Sequence, residues 1–127
     1  MKVLVLEDNK CRLEWFKETV SKCDLYLAMT AEKAADAIMK WEFDLIFLDH
    51  DLGDFDSKGN KLGEVNTNKR TGLDFAKLLA EEIRVGRITN DPSIYIHSLN
   101  PVGAKNIKSV LKDAIILPFS ELIKKIK

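Results

Sequence analysis

Hydrophobic and polar positions along the chain switch repeatedly between the period of a strand and the period of a helix. Short continuous apolar runs recur along the chain, and a parallel strand that is buried on both faces has this pattern. Between the runs, apolar residues lie three and four positions apart, which predicts amphipathic helices. The predicted strands are Val3–Leu6, Leu25–Ala28, Leu45–Leu48, Ile94–His97 and Ala114–Leu117.

The predicted helices follow the strands one by one. Thr30 is placed to cap the second helix, Gly86 to end the third and Pro118 to start the fifth. Each right-handed crossover between parallel strands needs its helix to cover the sheet. The chain is therefore predicted to be an α/β protein with a doubly wound, flavodoxin-like sheet of five parallel strands, order 2-1-3-4-5, and five helices. Residues 1–127 are expected to form a single domain.

Composition and charge exclude several classes of protein. Apolar residues make up 46% of the chain and charged residues 31%, which is typical of a globular protein. No apolar run approaches the roughly 20 residues that span a bilayer. The formal net charge of +0 argues against an extended nucleic-acid-binding surface. Cys11 and Cys23 are too few and too far apart for a zinc motif, so we expect free thiols and a cytoplasmic protein.

Acidic residues stand where the predicted strands end. Glu7 and Asp8 follow strand 1, and Asp49 and Asp51 follow strand 3. Strands 1 and 3 are neighbours in the order 2-1-3-4-5, so the four carboxylates share one edge of the sheet, at the switch point where ligands bind. Crowded carboxylates need a counter-charge. A divalent metal, Mg²⁺ or Mn²⁺, is expected to supply it with Glu7, Asp8, Asp49 and Asp51 as ligands.

The two histidines of the chain fall on the same edge. His50 follows strand 3 and His97 ends strand 4. Histidine titrates near neutrality and can transfer a proton, so both are candidate catalytic residues beside Asp49, although a structural role remains open. Because His97 is the last residue of its strand, its ring is expected to extend over the edge toward Asp49. A substitution of His97 is then expected to change stability little, because a residue at the edge fills no core cavity.

The residues after strand 4 provide a candidate phosphate site. Asn100 and the turn Pro101–Gly103 precede a predicted helix, and the N–H groups at the start of a helix favour an anion. We therefore expect Asn100 and Gly103 to contact a phosphate group. A plain junction between a loop and a helix is the alternative.

The arrangement of these residues resembles the receiver domain of bacterial response regulators along essentially the whole chain. In that family the first acids hold magnesium, and the aspartate that ends strand 3 accepts a phosphoryl group. By position, Asp49 matches the acceptor and Ser98 matches the strand 4 hydroxyl that contacts the phosphoryl oxygens. Leu117, however, stands where that family has a phosphate-binding lysine. This departure favours a function other than phospho-relay.

Two further strings, L-D-H-D-L-G at Leu48–Gly53 and H-S-L-N-P-V-G at His97–Gly103, are similar to the signature of the cyclic-phosphate processing receiver-like family. That resemblance implies a small phosphorylated ligand, namely a cyclic nucleotide, or an RNA end with a 2′,3′-cyclic phosphate. A metal that activates water and a histidine that transfers a proton suit the opening of such a ring. The sequence thus favours a metal-dependent phosphoesterase. The alternative is a non-enzymatic or phospho-aspartate receiver module that binds a protein partner.

Overall fold

The computed structural model describes residues 1–20, 23–49, 71–97, 101–118 and 121. Their strands and helices, in chain order, are β1 Lys2–Leu6, α1 Lys10–Thr19, β2 Asp24–Ala28, α2 Ala31–Lys40, β3 Leu45–Leu48, α3 Gly72–Arg84, β4 Ser93–Ile96, α4 Pro101–Val110 and β5 Ile115–Ile116. The sheet is parallel throughout, with the order β2-β1-β3-β4-β5. The predicted fold is therefore confirmed. The fifth predicted helix falls mostly on residues outside the described ones.

Helices cover both faces of the sheet because the central strands are apolar on both sides. In β1, Leu4 and Leu6 belong to one buried cluster, which α2, α3 and α4 complete. Val3 and Val5 point to the other face and pack with Phe16 of α1. The continuous apolar run that predicted a doubly covered strand reflects these two cores.

The register of the sheet places three polar residues side by side. Leu6 of β1 is paired with Leu48 of β3, and Leu48 is paired with Ile96 of β4. The ladder continues one residue further, because the N–H of Asp49 donates to Leu6 O and the N–H of His97 donates to Leu48 O, each at 3.0 Å. The residues that follow the paired positions, Glu7, Asp49 and His97, therefore line one edge of the sheet. We call it the carboxyl edge.

The helix ends show the signals that the sequence predicted. The hydroxyl of Thr30 accepts a hydrogen bond from Lys33 N at 3.1 Å, as the cap of α2. Gly86 follows α3 with a φ of 83°, a conformation that glycine adopts without strain.

The cysteines, Cys11 and Cys23, are free thiols. None of the described helices has the length and apolar character that crossing a membrane requires.

A candidate site at the carboxyl edge of the sheet

Three carboxylates meet at the carboxyl edge. Glu7, Asp8 and Asp49 each place one oxygen atom within 4.8 Å of the others. Glu7 and Asp49 are buried and Asp8 is half-buried. The structure thus brings together three of the four acids that the sequence assigned to a metal, and their role as ligands stays a prediction. The fourth acid, Asp51, lies outside the described residues.

Arg12 of α1 supplies positive charge to this cluster. Its Nε lies 2.5 Å from Glu7 Oε1, and its Nη2 lies 3.3 Å from Glu7 Oε2 and 3.6 Å from Asp49 Oδ2. Burial would lower the pKa of Arg12, but the bond to Glu7 and the charges of Asp49 and Asp8 outweigh it and raise that pKa. From the sequence, a metal was expected to supply all of the counter-charge, and this guanidinium was not predicted.

A sequence signal for Arg12 existed. The cap of α1 is Asn9, whose side chain accepts from Arg12 N at 3.1 Å, so Arg12 lies in the first turn. First turns favour acids because the helix dipole is positive there, and α1 has no acid in its first turn. A base at this position, directly after an acidic strand end, indicates an ion pair with the strand end.

The carboxylate of Glu7 is held by five hydrogen bonds. Its Oε2 accepts from the N–H groups of Asp8 at 3.0 Å and Asn9 at 3.2 Å, and from Arg12. Its Oε1 accepts from Arg12 and lies 3.1 Å from His97 Nε2. Burial alone would raise the pKa of Glu7, but the hydrogen bonds from His97 and Arg12 outweigh burial and lower that pKa from 4.5 to about 2. An ionised carboxylate only accepts hydrogen bonds, so Nε2 of His97 carries a proton.

The predicted position of the His97 ring is wrong. Its side chain is completely buried rather than extended over the edge, and the ring lies 5.5 Å from that of Phe16. The physical reason is that α1 covers the end of β4 with Phe16, while Glu7 offers a buried acceptor. The premise that His97 occupies no core space is therefore also wrong. Its catalytic role stays a prediction.

The remaining predicted positions have mixed outcomes. Gly103 is buried in the first turn of α4, the helix that follows β4, and its contact with phosphate stays a prediction. Leu117 is half-buried against the cluster of Val3, Val5, Phe16 and Phe47, so an apolar contact stands where response regulators have a lysine. His50, Ser98 and Asn100 lie outside the described residues.

The structure is similar to solved receiver domains. A response regulator receiver domain protein from Methanospirillum hungatei has a TM-score of 0.67 and 17% identity, with 98% of this chain and 89% of that chain covered. A response regulator from Burkholderia pseudomallei, with a phosphorylated aspartic acid, calcium ion and citrate, has a TM-score of 0.68 and 14% identity, over 99% and 66%. A response regulator from Thermotoga maritima in complex with Mg²⁺-BeF has a TM-score of 0.64 and 17% identity, over 99% and 98%. These likenesses show the fold.

The sequence comparison is more specific than the fold. None of the curated proteins matches the chain. The model of the family described as "Cyclic-phosphate processing Receiver domain" matches residues 2–113, which includes β1 to α4 and every described residue of the acidic cluster. The chain therefore belongs to the cyclic-phosphate processing receiver domain family.

Proposed function

We propose that this protein is a metal-dependent phosphoesterase that opens a cyclic phosphodiester on a small nucleotide, with residues 1–127 acting as one domain. The observation that carries the proposal is the cluster of Glu7, Asp8 and Asp49, whose oxygens lie within 4.8 Å of one another, in a member of this family. The cluster lies at the switch point between β1 and β3, where doubly wound proteins bind their ligands.

The charge of the cluster favours a divalent cation. The three carboxylates of the cluster outnumber the guanidinium of Arg12, the cation that the described part of the chain brings to them. Mg²⁺ and Mn²⁺ can add positive charge, and magnesium typically binds one or two carboxylates together with phosphate oxygens. Asp8 and Asp49 fit this role, joined by Asp51, whereas both oxygens of Glu7 already accept hydrogen bonds from the protein. Such a metal activates water and stabilises negative charge on phosphoryl oxygens.

The protein's own groups have the remaining tasks. Glu7 keeps His97 in place and, in the metal-free protein, also holds Arg12, because its carboxylate accepts from both side chains. We assign the proton that the leaving oxygen needs to the histidines, His50 and His97. Contact with the phosphate oxygens is assigned to Ser98, Asn100 and Gly103, which precede or begin α4.

The rival function is a receiver module that accepts a phosphoryl group on Asp49 and then binds a protein partner. The shared fold favours it, together with the position of Asp49 directly after β3, and the Thermotoga maritima response regulator was solved with Mg²⁺-BeF. The apolar packing of Leu117 speaks against it, because no lysine neutralises the phosphoryl group from that position. The fold is compatible with either function, and an assay of hydrolysis and of phosphorylation distinguishes the two.

The test is hydrolysis of defined phosphodiesters with Mg²⁺, Mn²⁺ or a chelator. The substrates are 2′,3′- and 3′,5′-cyclic nucleotides, an RNA that ends in a 2′,3′-cyclic phosphate, and a linear phosphodiester. We expect metal-dependent opening of a cyclic nucleotide, reduced at least about tenfold in Asp8→Asn because removal of even an outer partner of a metal ligand costs this much. Asp36→Asn, the same change on the exposed face of α2, is the control.

Two results would contradict the phosphoesterase. One is the absence of hydrolysis under all metal conditions, and the other is an equal rate with the chelator. Incubation with acetyl phosphate and Mg²⁺ tests the rival function on the same protein. A stable, stoichiometric phosphoryl adduct on Asp49, seen in the intact mass, would favour the signalling module.

A further inference from the structure

The proposed metal and the side chain of Arg12 share one carboxylate, that of Asp49. The guanidinium contacts Glu7 at 2.5 Å and Asp49 at 3.6 Å, and so bridges two of the three acids of the cluster. A cation held by Asp8 and Asp49 therefore competes with the guanidinium for Asp49. A divalent ion repels the guanidinium twice as strongly as a monovalent ion at the same distance.

We propose that Arg12 is an internal competitor of the divalent cation. The guanidinium leaves the carboxylates when the metal binds, and it then becomes the phosphate-binding cation that position 117 lacks. This inference rests on the proposed function, because it needs a metal at the cluster. It assigns to Arg12 both the control of metal affinity and part of the recognition of a phosphoryl group.

The burial of the cluster indicates which group moves. The side chain of Arg12 is 20% exposed, whereas those of Glu7 and Asp49 are 0% and 4% exposed. Rotation of the long arginine side chain carries the guanidinium toward solvent and leaves the strand ends in place. After Arg12 leaves, Glu7 is still held by the N–H groups of Asp8 and Asn9 and by His97.

The chemistry of the released group suits a phosphate. A guanidinium presents a planar pair of N–H donors that matches two phosphate oxygens, and it stays charged at every relevant pH. Leu117 packs against the apolar cluster around Phe16 and offers no charge. Because the metal frees the guanidinium, binding of metal and binding of phosphate are linked, and each increases the affinity for the other.

The chain contains a matched control for Arg12. Glu82 of α3 is buried and forms an ion pair with Arg87, again five residues further along the chain. Arg87→Gln therefore removes the cation from a second buried glutamate, at the end of α3. Any change that both substitutions share reports on loss of a buried glutamate's partner rather than on the site.

The first measurement is the affinity for Mn²⁺ by calorimetry, on the full chain at constant pH. We expect Arg12→Gln to bind Mn²⁺ at least about tenfold more tightly than wild type, a factor within the range usual for coupled sites. Arg87→Gln should bind as wild type does. Arg12→Lys keeps the charge but loses the two-pronged contact, so its affinity should lie between those of wild type and Arg12→Gln.

The second measurement is the affinity for inorganic phosphate at saturating Mn²⁺. Arg12→Gln should bind phosphate about tenfold more weakly than wild type, and Arg12→Lys should recover part of the loss. Equal phosphate affinity in wild type and Arg12→Gln would overturn the phosphate role.

The outcomes separate this inference from the proposed function. If wild type binds Mn²⁺ and Arg12→Gln binds it no more tightly, competition is overturned and the metal site stands. If no protein binds Mn²⁺, both are overturned. Circular dichroism reports whether Arg12→Gln folds. If it does not, Arg12→Lys decides, and an affinity for Mn²⁺ equal to that of wild type overturns the competition.

Discussion

Two buried glutamates, at different places in the molecule, each form an ion pair with an arginine five residues further along the chain. Glu82 and Arg87 form one pair, at the end of α3. Glu7 and Arg12 form the other, at the carboxyl edge. The side chain of Arg87 is 65% exposed, whereas that of Arg12 is 20% exposed. The same local motif therefore occurs in two different electrostatic settings.

The setting decides what each pair does. Around Glu82 the charges cancel, because Glu81 pairs with Arg84 next to it. The backbone carbonyl of Glu82 also accepts hydrogen bonds from the N–H groups of Arg87 and Ile88, which follow α3, so this pair lies where the chain leaves the helix. At the carboxyl edge three carboxylates face one guanidinium. A buried glutamate–arginine pair is thus no sign of a site by itself; the crowding of two further carboxylates beside the Glu7 pair is.

The largest expected effect concerns His97, a partner of Glu7 that has no counterpart at Glu82 among the residues that the structure describes. If His97 transfers the proton, His97→Ala and His97→Asn should both reduce kcat for a cyclic phosphate by about two to four orders of magnitude. His97→Ala should also lower the free energy of unfolding, because the buried ring packs against Phe16. Turnover and denaturant unfolding measure the two effects.

A glutamine variant separates the two roles of this side chain. The amide nitrogen of glutamine reaches about as far as Nε2 of histidine, so His97→Gln retains a hydrogen-bond donor for Glu7 but does not transfer a proton. Wild-type turnover by His97→Gln, on a substrate that the protein demonstrably hydrolyses, would contradict proton transfer by His97. The histidine would then act by holding Glu7 in position, and His50 would be the remaining candidate for proton transfer.

The next effect is the acid stability of the metal-free protein. Because the pKa of Glu7 is lowered from 4.5 to about 2 in the folded protein, its stabilisation is complete above pH 4.5 and is lost as the pH falls toward 2. The shift corresponds to about 3 kcal/mol. Glu7→Gln should therefore flatten the dependence of the unfolding free energy on pH between about 4.5 and 2.

Glu82→Gln is the comparison for that titration. The hydrogen bond from Arg87 also lowers the pKa of Glu82, so this variant should flatten the dependence on pH in the same direction, below pH 4.5. We expect the smaller change, because the partner is largely exposed and solvent screens it. A Glu82→Gln profile that is flatter than the Glu7→Gln profile would contradict the ranking of the two pairs.

The sequence predicted the sheet well because each strand carries its own signal. The apolar run Leu45–Leu48 is β3 itself, and Val3–Leu6 differs from β1 by one residue. Register then follows from chain topology, so the meeting of Glu7 with Asp49 was predictable once the order 2-1-3-4-5 was inferred. Edge strand β5 was predicted too long, since Ala114 and Leu117 flank its two paired residues.

The sequence did not predict the partners of Glu7, because they depend on packing between elements. Arg12 lies in α1, and its contact with Asp49 requires the angle at which that helix leaves β1. His97 looks exposed as a strand end, and only Phe16 and Glu7, which cover it, make it buried. Periodicity describes which face of an element is apolar, but it does not describe which side chains of separate elements meet.

The smallest expected effect compares the contributions of two ion pairs at the end of α3 to stability. Arg84 and Glu81 form a surface pair, with side chains 70% and 49% exposed, and such pairs contribute little because water and salt screen them. Arg84→Gln should leave the midpoint of urea unfolding unchanged within error. Arg87→Gln should lower it, because Glu82 is buried and loses its cation. Equal midpoints in the two variants would mean that water replaces Arg87 as the partner of Glu82. The Glu82–Arg87 pair would then contribute no more to stability than the surface pair of Glu81 and Arg84. The pairs at Glu7 and Glu82 would then differ in burial as well as in charge balance.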